Sequence, residues 1–134
     1  MKKRFCFLLL AVSSILLSCN TNTSAPKLTW QIQYSGEIDL SVDVDVYNLD
    51  MFEVSSEDIF KLHARDIYVI CYISVGSWED WRPDADRFPE KIIGYDYEGW
   101  PGEKWLDVRS IDELAPIMET RIKLASEKGC DGVD

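Results

Sequence analysis

Apolar and polar residues alternate along two short segments of the chain, and a third segment is almost continuously apolar. The alternating segments are residues 28–34 and 42–47, and we expect both to form strands. Residues 67–75 are apolar and rich in β-branched side chains, which is typical of a buried parallel strand. Between the second and third strands, Ser55 and Ser56 open a predicted helix that runs to about Arg65. This order of elements predicts an α/β fold.

The next segment, residues 77–102, combines aromatic, acidic and turn-forming residues without a regular period. A loop of this length inside a compact domain is unusual and is often functional. After it, residues 105–108 predict a short fourth strand, and residues 130–134 predict a fifth.

A second helix is predicted between the fourth and fifth strands, because apolar residues recur there at helical spacing. Ser110 and Glu113 have the spacing of a capping box, which makes Ser110 the expected N-cap. Pro116 lacks a backbone donor, which favours a regular helix that begins one turn later. Gly129 is the expected C-terminal end.

The first 27 residues form a leader and a tether. Residues 1–18 have a basic start and an apolar run of about 13 residues, which is too short to span a bilayer core of roughly 30 Å but is typical of a signal peptide. Leu16, Leu17, Ser18 and Cys19 resemble a bacterial lipobox, in which the cysteine is acylated; an ordinary cleaved signal peptide is the alternative. Residues 19–27 are polar and predict a tether. We therefore expect an exported protein, lipid-anchored through Cys19 at the outer membrane or cell surface.

Composition and charge exclude several classes of function. The 134 residues are 46% hydrophobic and include five Trp, so the chain is expected to form a core. Its 14 Lys and Arg face 24 Asp and Glu, and removal of the three basic residues in the leader changes the net charge from −10 to −13. Such a charge repels phosphate backbones and excludes a nucleic-acid partner, whereas neutral or cationic partners remain compatible.

Neither a metal nor a cofactor is indicated by the sequence. His63 is the only histidine, and we expect it to be a surface or packing residue of the first helix. No Gly-rich phosphate loop is present. Cys71 and Cys130 remain after removal of the leader, and an exported protein could pair them. A third strand between theirs would separate the two Cα atoms by about 9–10 Å, however, and a disulfide needs less than about 7 Å, so we expect two buried thiols.

Polar residues follow the predicted strands where parallel strands present their carboxyl ends to a ligand. Alternation along the third strand places Tyr72 and Ser74 on the ligand-facing side and Cys71 against the helices. The same reasoning places Asp45 and Tyr47 on one face of the second strand, and Asp107 and Arg109 on one face of the fourth. The residues at the carboxyl ends of the strands, where a ligand would bind, are Tyr47, Asp50, Ser74, Gly76, Ser77, Trp78, Glu79, Asp107, Arg109 and Asp134. Two alternatives stay open, because Asp45 could face water, and Asp107 and Arg109 could pair with each other.

Acidic and aromatic side chains on one rim are the groups that bind sugars, since aromatic rings stack on sugar rings and carboxylates accept hydroxyl hydrogen bonds. Glycoside hydrolysis further needs two carboxyl groups about 5–9.5 Å apart. The sequence offers candidates for such a pair without giving their separation.

Five ordered runs carry a resemblance to a known family: WQIQ at 30–33, DVDVY at 43–47, VICYISVGSWEDWRPD at 69–84, GWPGEKWLDVR at 99–109 and GCDGV at 129–133. They resemble glycoside hydrolase family 114, the endo-α-1,4-polygalactosaminidase-like proteins. The resemblance extends from about Leu28 to the end of the chain and implies a (β/α)₈ TIM-barrel-like fold, of which residues 28–134 would form the N-terminal part, about the first five strands.

The family resemblance implies a rim that binds a galactosamine-containing polysaccharide. In the family, the last run continues through an acidic residue into Pro-Asp-Asn, where a proposed catalytic Asp lies; Asp134 matches the acidic residue before that Pro, so no catalytic residue is assigned. The substrate-binding residues that we expect are Asp45, Tyr47, Tyr72, Ser74, Glu79, Arg82, Asp107, Arg109 and Asp134.

Three hypotheses about function follow. The first is a polysaccharide hydrolase that acts on α-1,4-linked galactosamine-containing polymers and whose sequence here is incomplete. The second is a surface lipoprotein that binds carbohydrate without cleaving it, and the third is a truncated remnant. Five strands of a barrel would leave an open sheet edge, which predicts self-association.

Overall fold

The computed structural model describes residues 27–134, which form a mixed α/β fold with a parallel sheet. The predicted signal peptide, the predicted acylation site Cys19 and most of the predicted tether lie outside the described residues. In chain order the elements are β1 Trp30–Gln33, β2 Val46–Asp50, α1 Ser56–His63, β3 Tyr68–Tyr72, β4 Ser77–Glu79, two 3₁₀ turns Ala85–Arg87 and Glu90–Ile92, β5 Ile93–Asp96, β6 Glu103–Leu106, α2 Ile111–Lys128 and β7 Gly132–Val133.

Four strands form the parallel sheet, in the order β1-β2-β3-β7. Leu49 lies beside Cys71, and both side chains belong to the core on the face that packs on the helices. The helix α1 connects β2 to β3, which confirms the βαβ unit predicted from the sequence. Its N-cap is Ser55, whose hydroxyl accepts the Asp58 backbone N–H at 3.1 Å.

The second strand lies four residues later than the alternation of residues 42–47 predicts. Val42 and Val44 are only partly buried against the core, in the segment that leads into the strand. The observed strand instead includes Asn48 and Asp50, both buried. These polar side chains fit a buried strand because each of them has a specific polar partner at the carboxyl edge of the sheet.

A separate antiparallel sheet has three strands in the order β4-β6-β5, and both β4 and β5 lie in the segment that we predicted to be a long loop. The strand that we predicted at 105–108 was expected in the parallel sheet, and this position is wrong. Trp105 pairs with Ser77 in the small sheet instead. The contact joins residues almost thirty positions apart, and a local sequence pattern does not reveal it.

The helix α2 packs on both sheets. Leu114 and Ile117, near its N-terminus, belong to a core beneath the small sheet, whereas Ala125 belongs to the core between the parallel sheet and α1. Gly129, with φ 99°, ends the helix as predicted.

The N-terminal end of α2 differs from the prediction. Ser110 is the N-cap, but its side chain makes no capping hydrogen bond, and the Glu113 side chain pairs with Lys91. The helix begins at Ile111 and includes Pro116, so it does not start a turn later.

Cys71 and Cys130 form a disulfide, and the expectation of two buried thiols is therefore wrong. Their Cα atoms are 5.9 Å apart. The expectation assumed an intervening strand, but β6 belongs to the small sheet, so β7 lies directly beside β3 and brings Cys130 next to Cys71.

The face of the parallel sheet opposite the helices exposes several large apolar side chains, among them Trp30, Ile32 and Tyr68. The self-association expected from an open sheet remains a prediction. No helix within residues 27–134 is both long enough and apolar enough to cross a membrane.

Candidate functional site

The carboxyl edge of the parallel sheet brings together side chains from all four strands. Tyr34 follows β1 and stacks on Tyr72 of β3, with ring centroids 4.5 Å apart. Asn48 of β2 donates from Nδ2 to Asp134 Oδ2 at 2.7 Å, and the Tyr34 hydroxyl is 3.5 Å from the same oxygen. Burial and the charge of Asp134 both raise the pKa of Tyr34. The edge is therefore a continuous polar and aromatic surface.

A cavity of about 350 Å³ lies between this edge and the small sheet. One wall is the Tyr34–Tyr72 stack. The opposite wall contains Tyr97 and Trp105, whose ring centroids are 4.0 Å apart, and Trp100. We call this space the rim cavity, and its lining residues are Tyr34, Tyr72, Ser74, Gly76, Ser77, Tyr97, Trp100, Glu103 and Trp105.

The polar groups of the rim cavity are held in a short hydrogen-bonded chain. The hydroxyl oxygens of Ser74 and Ser77 are 2.7 Å apart, and Ser77 donates to Glu103 Oε2 at 2.8 Å. Glu103 thus presents a carboxylate that is fixed by one hydroxyl and has further acceptor capacity. Burial raises the pKa of Tyr72, and the nearby charges of Glu79 and Glu103 add to this shift, so Tyr72 is a neutral hydrogen-bonding group at physiological pH.

Beside the rim cavity lies a buried ionic group of Asp50, Glu79 and Arg82. The Arg82 guanidinium donates to both oxygens of Asp50 at 2.9 and 2.6 Å, and to both oxygens of Glu79 at 2.7 and 2.8 Å. Burial by itself would lower the pKa of Arg82, but its hydrogen bonds to Glu79 and Asp50 raise that pKa above its usual value. Two carboxylates and one guanidinium leave one net negative charge, and they join the end of β2 to β4.

A second buried arginine supports the same region from α2. Arg121 forms a bidentate pair with Asp84 at 2.8 and 2.9 Å, and donates to the Ser74 backbone carbonyl at 2.7 Å. Its guanidinium carbon lies 5.3 Å from the centre of the Phe52 ring, and Arg82 lies 5.0 Å from the same ring. Arg121 thereby holds the backbone of the segment that carries Ser74 and Ser77.

Of the residues predicted to bind substrate, the structure brings several to this region. Tyr72 and Ser74 line the rim cavity, and Asp134 lies at the same edge of the sheet. Glu79 and Arg82 lie next to it, but they are buried and bound to each other and to Asp50. Their geometry suits a supporting role for the rim.

Asp45 and Tyr47 do not lie at the rim, which corrects the prediction for both. Asp45 precedes β2 at the opposite end of the sheet, where it is exposed and accepts hydrogen bonds from the Thr29 N–H and hydroxyl at 2.7 Å; these bonds lower its pKa. Tyr47 is fully buried on the helix side, and its hydroxyl donates to the Asp39 carbonyl at 2.8 Å. Because β2 begins at Val46, Asp45 lies before the strand and Tyr47 lies near its amino end, away from the rim.

Asp107 and Arg109, which we also expected to bind substrate, do not line the rim cavity. They follow β6 of the small sheet and pair with each other, with Arg109 Nε 2.7 Å from Asp107 Oδ1. The hydrogen bonds from Arg109 lower the pKa of Asp107. This is the alternative that was left open for them in the sequence.

Sequence reasoning missed several residues of the site. Glu103 and Trp105 are separated by one residue, which would have placed them on one face of a strand if β6 had been predicted from 103 onwards. Tyr34, Tyr97 and Trp100 follow no local pattern that separates them from other exposed aromatic residues. Within residues 27–134, no group of three or more His, Cys, Asp and Glu side chains is arranged to hold a metal ion.

The rim cavity thus places one fixed carboxylate, Glu103, between aromatic rings at the carboxyl edge of a parallel sheet, which is where α/β proteins bind ligands. Comparison with known families agrees. The sequence model of glycoside-hydrolase family GH114 matches residues 14–134. The chain belongs to this family.

Two solved structures are also similar to this chain. The crystal structure of Aspergillus fumigatus Ega3 in complex with galactosamine is 44% identical, with a TM-score of 0.76 over 80% of this chain and 43% of that chain. The glycoside hydrolase domain of PelA from Pseudomonas aeruginosa shares the fold at 17% identity, with a TM-score of 0.65 over 78% of this chain and 42% of that chain. The chain thus spans less than half the length of these two structures. No curated protein sequence matches it significantly.

Proposed function

We propose that this chain supplies the N-terminal part of the substrate rim of a (β/α)₈-barrel glycoside hydrolase that acts on α-1,4-linked, galactosamine-containing polymers. The observation that carries the proposal is the rim cavity, which combines aromatic walls with a fixed carboxylate. It is supported by the 44% identity to Ega3, whose crystal structure contains galactosamine.

The charge of the rim favours an amino sugar. Glu103 lines the cavity, Asp134 lies at the edge, and the buried group of Asp50, Glu79 and Arg82 adds one net negative charge. A galactosamine unit that is not N-acetylated carries a positive charge on its amine. Opposite charges at close range favour binding, and the aromatic rings supply the stacking surface for the sugar ring.

The same proposal covers where the protein acts. Acylation of Cys19 would anchor the chain to a bacterial membrane, at the outer membrane or cell surface, where it meets an extracellular polymer. Replacement of Cys19 by Ala should then move the protein from the membrane fraction to the soluble fraction. Unchanged membrane association of that variant would contradict the lipid anchor.

Carbohydrate binding is testable by calorimetry on the full chain in mild detergent. We expect α-1,4-linked galactosamine oligosaccharides to bind, the fully N-acetylated oligosaccharides to bind more weakly, and anionic oligogalacturonides not to bind. Raising the salt concentration should weaken the binding of the cationic ligand, because the carboxylates at the rim are partly exposed.

The variant Glu103→Gln removes the carboxylate of the rim cavity with little change in volume. Loss of one charge-assisted hydrogen bond, about 1.5–3 kcal/mol, corresponds to a roughly ten- to hundredfold weaker affinity. Glu119→Gln, on the exposed side of α2, is the matched control and should bind like the wild type. Absence of binding, or equal affinities for the amine and its N-acetylated form, would refute the proposal. Binding without release of shorter oligosaccharides would favour the non-catalytic alternative.

A further inference from the structure

A second cavity, of about 430 Å³, lies on the other side of the small sheet from the rim cavity. Trp78, Lys104 and Asp96 are cross-strand neighbours and therefore share one face of this sheet, whereas Ser77 and Trp105 share the opposite face, which borders the rim cavity. The lining residues of the second cavity are Trp78, Asp80, Asp96, Tyr97, Glu98, Gly99, Trp100, Pro101, Gly102, Glu103 and Lys104.

The two cavities meet at the tip of the hairpin that joins β5 to β6. Tyr97, Trp100 and Glu103 line both of them. Trp100 is 59% exposed, and its ring centroid is 6.4 Å from that of Tyr97. The two cavities therefore adjoin at this hairpin tip, on opposite faces of the small sheet, and share the exposed ring of Trp100.

The chemistry of the second cavity repeats that of the rim. Four carboxylates line it against one lysine, and Lys104 lies 3.5 Å from Asp96, which leaves Asp80 and Glu98 outside any ion pair within residues 27–134. The indole N–H of Trp78 donates to the Ala85 carbonyl at 2.9 Å, which fixes the orientation of its ring. The cavity thus offers a fixed aromatic surface beside carboxylates that have free acceptor capacity.

Backbone hydrogen bonds hold the hairpin tip in shape. Tyr97 N–H donates to the Glu103 carbonyl at 2.9 Å, and Asp80 N–H donates to the Gly102 carbonyl at 3.0 Å. Gly102 has φ +89°, a conformation that favours glycine, and a Cβ atom there would lie 2.8 Å from Asp80 Oδ1. The second cavity is therefore a formed feature of the hairpin.

We propose that the second cavity binds a further amino-sugar unit of the same polymer that occupies the rim cavity. This inference rests on the proposed function. In this proposal the second cavity, on the small sheet, contacts a second positively charged sugar unit, so the protein binds a longer polymer more tightly than a single unit.

The test compares galactosamine monomer with an α-1,4-linked galactosamine hexasaccharide by calorimetry on the full chain. The double variant Asp80→Asn/Glu98→Gln removes two carboxylates that line only the second cavity. We expect unchanged monomer affinity and an about tenfold or larger loss of hexasaccharide affinity. The control Glu119→Gln/Glu127→Gln removes the same charge from exposed positions on α2 and should leave both affinities near the wild-type values.

Equal loss in the double variant and its control would mean that only net charge matters, and would overturn the proposal. A hexasaccharide that binds the wild type no tighter than the monomer would also overturn it. Failure of the wild type to bind either ligand would instead refute the proposed function. Trp100→Ala, which alters both cavities, should weaken monomer and hexasaccharide alike, and far-ultraviolet circular dichroism checks that each variant is folded.

Discussion

The disulfide between Cys71 and Cys130 closes a loop that contains the whole small sheet and α2. Replacement of Cys130 by Ala opens this loop and leaves the Cys71 thiol buried in the core, where it is tolerated as a small apolar group. The two cysteines are 59 residues apart, so the chain-entropy relation gives about 14 cal/mol/K for loop closure, or ~4 kcal/mol at 25 °C. We expect the free energy of unfolding to fall by about this amount.

Guanidinium denaturation followed by tryptophan fluorescence measures the effect. With a slope of roughly 4 kcal/mol/M, the midpoint should fall by about 1 M in the Cys130→Ala variant. Dithiothreitol should lower the wild-type midpoint to that of the variant and leave the variant unchanged. Peptide mapping under non-reducing conditions should recover a cross-linked peptide with Cys71 and Cys130. Equal midpoints for the oxidised wild type and the variant would refute the reasoning.

Three further predictions concern the groups that support the site. Arg82→Met leaves two buried carboxylates without their partner and should lower the free energy of unfolding in urea by about 3–5 kcal/mol, and Arg82→Lys should recover only part of this loss. Burial raises the pKa of Asp84, but the hydrogen bonds and charge of Arg121 outweigh this effect and hold that pKa below 3.8. The ion pair therefore stabilises the fold above pH 3.8, and this stabilisation is lost as the pH falls through the lowered pKa. Thermal melts should therefore show a large deficit for Asp84→Asn at neutral pH that narrows in strong acid, and a deficit independent of pH would contradict this. Gly102→Ala should cost about 1–3 kcal/mol and exceed the cost of Gly99→Ala, since both have φ near +90° but only the former meets Asp80.

The elements that could be predicted from the sequence are those with a local signal. The continuous apolar run gave β3, and the helical spacing from Leu114 to Ala125 together with Gly129 gave α2. The face assignment of β3 is also confirmed, since Cys71 packs on the helix side and Tyr72 faces the rim. These features depend on residues that are near one another in the chain, which is why a pattern alone reveals them.

The small sheet and its consequences could not be predicted in the same way. Pairing between Ser77 and Trp105 is decided by tertiary packing over Phe88, Ile92 and Leu106, and no period in the loop sequence reports it. Once that pairing was missed, the strand order was wrong, and the separation of Cys71 and Cys130 followed from it. The identity of the family was nevertheless accessible, because ordered motifs do not depend on strand order.

Strand β6 separates the two cavities by the alternation of its side chains. Of the two cavities, Trp105 lines only the rim cavity and Lys104 lines only the second cavity. Single substitutions at these positions can therefore alter one surface and leave the other intact. A shift of β6 by one residue along β4 would exchange the two faces at once. A substitution at Lys104 or Trp105 therefore changes one surface, whereas a change in hairpin length that moved the register would alter both surfaces together.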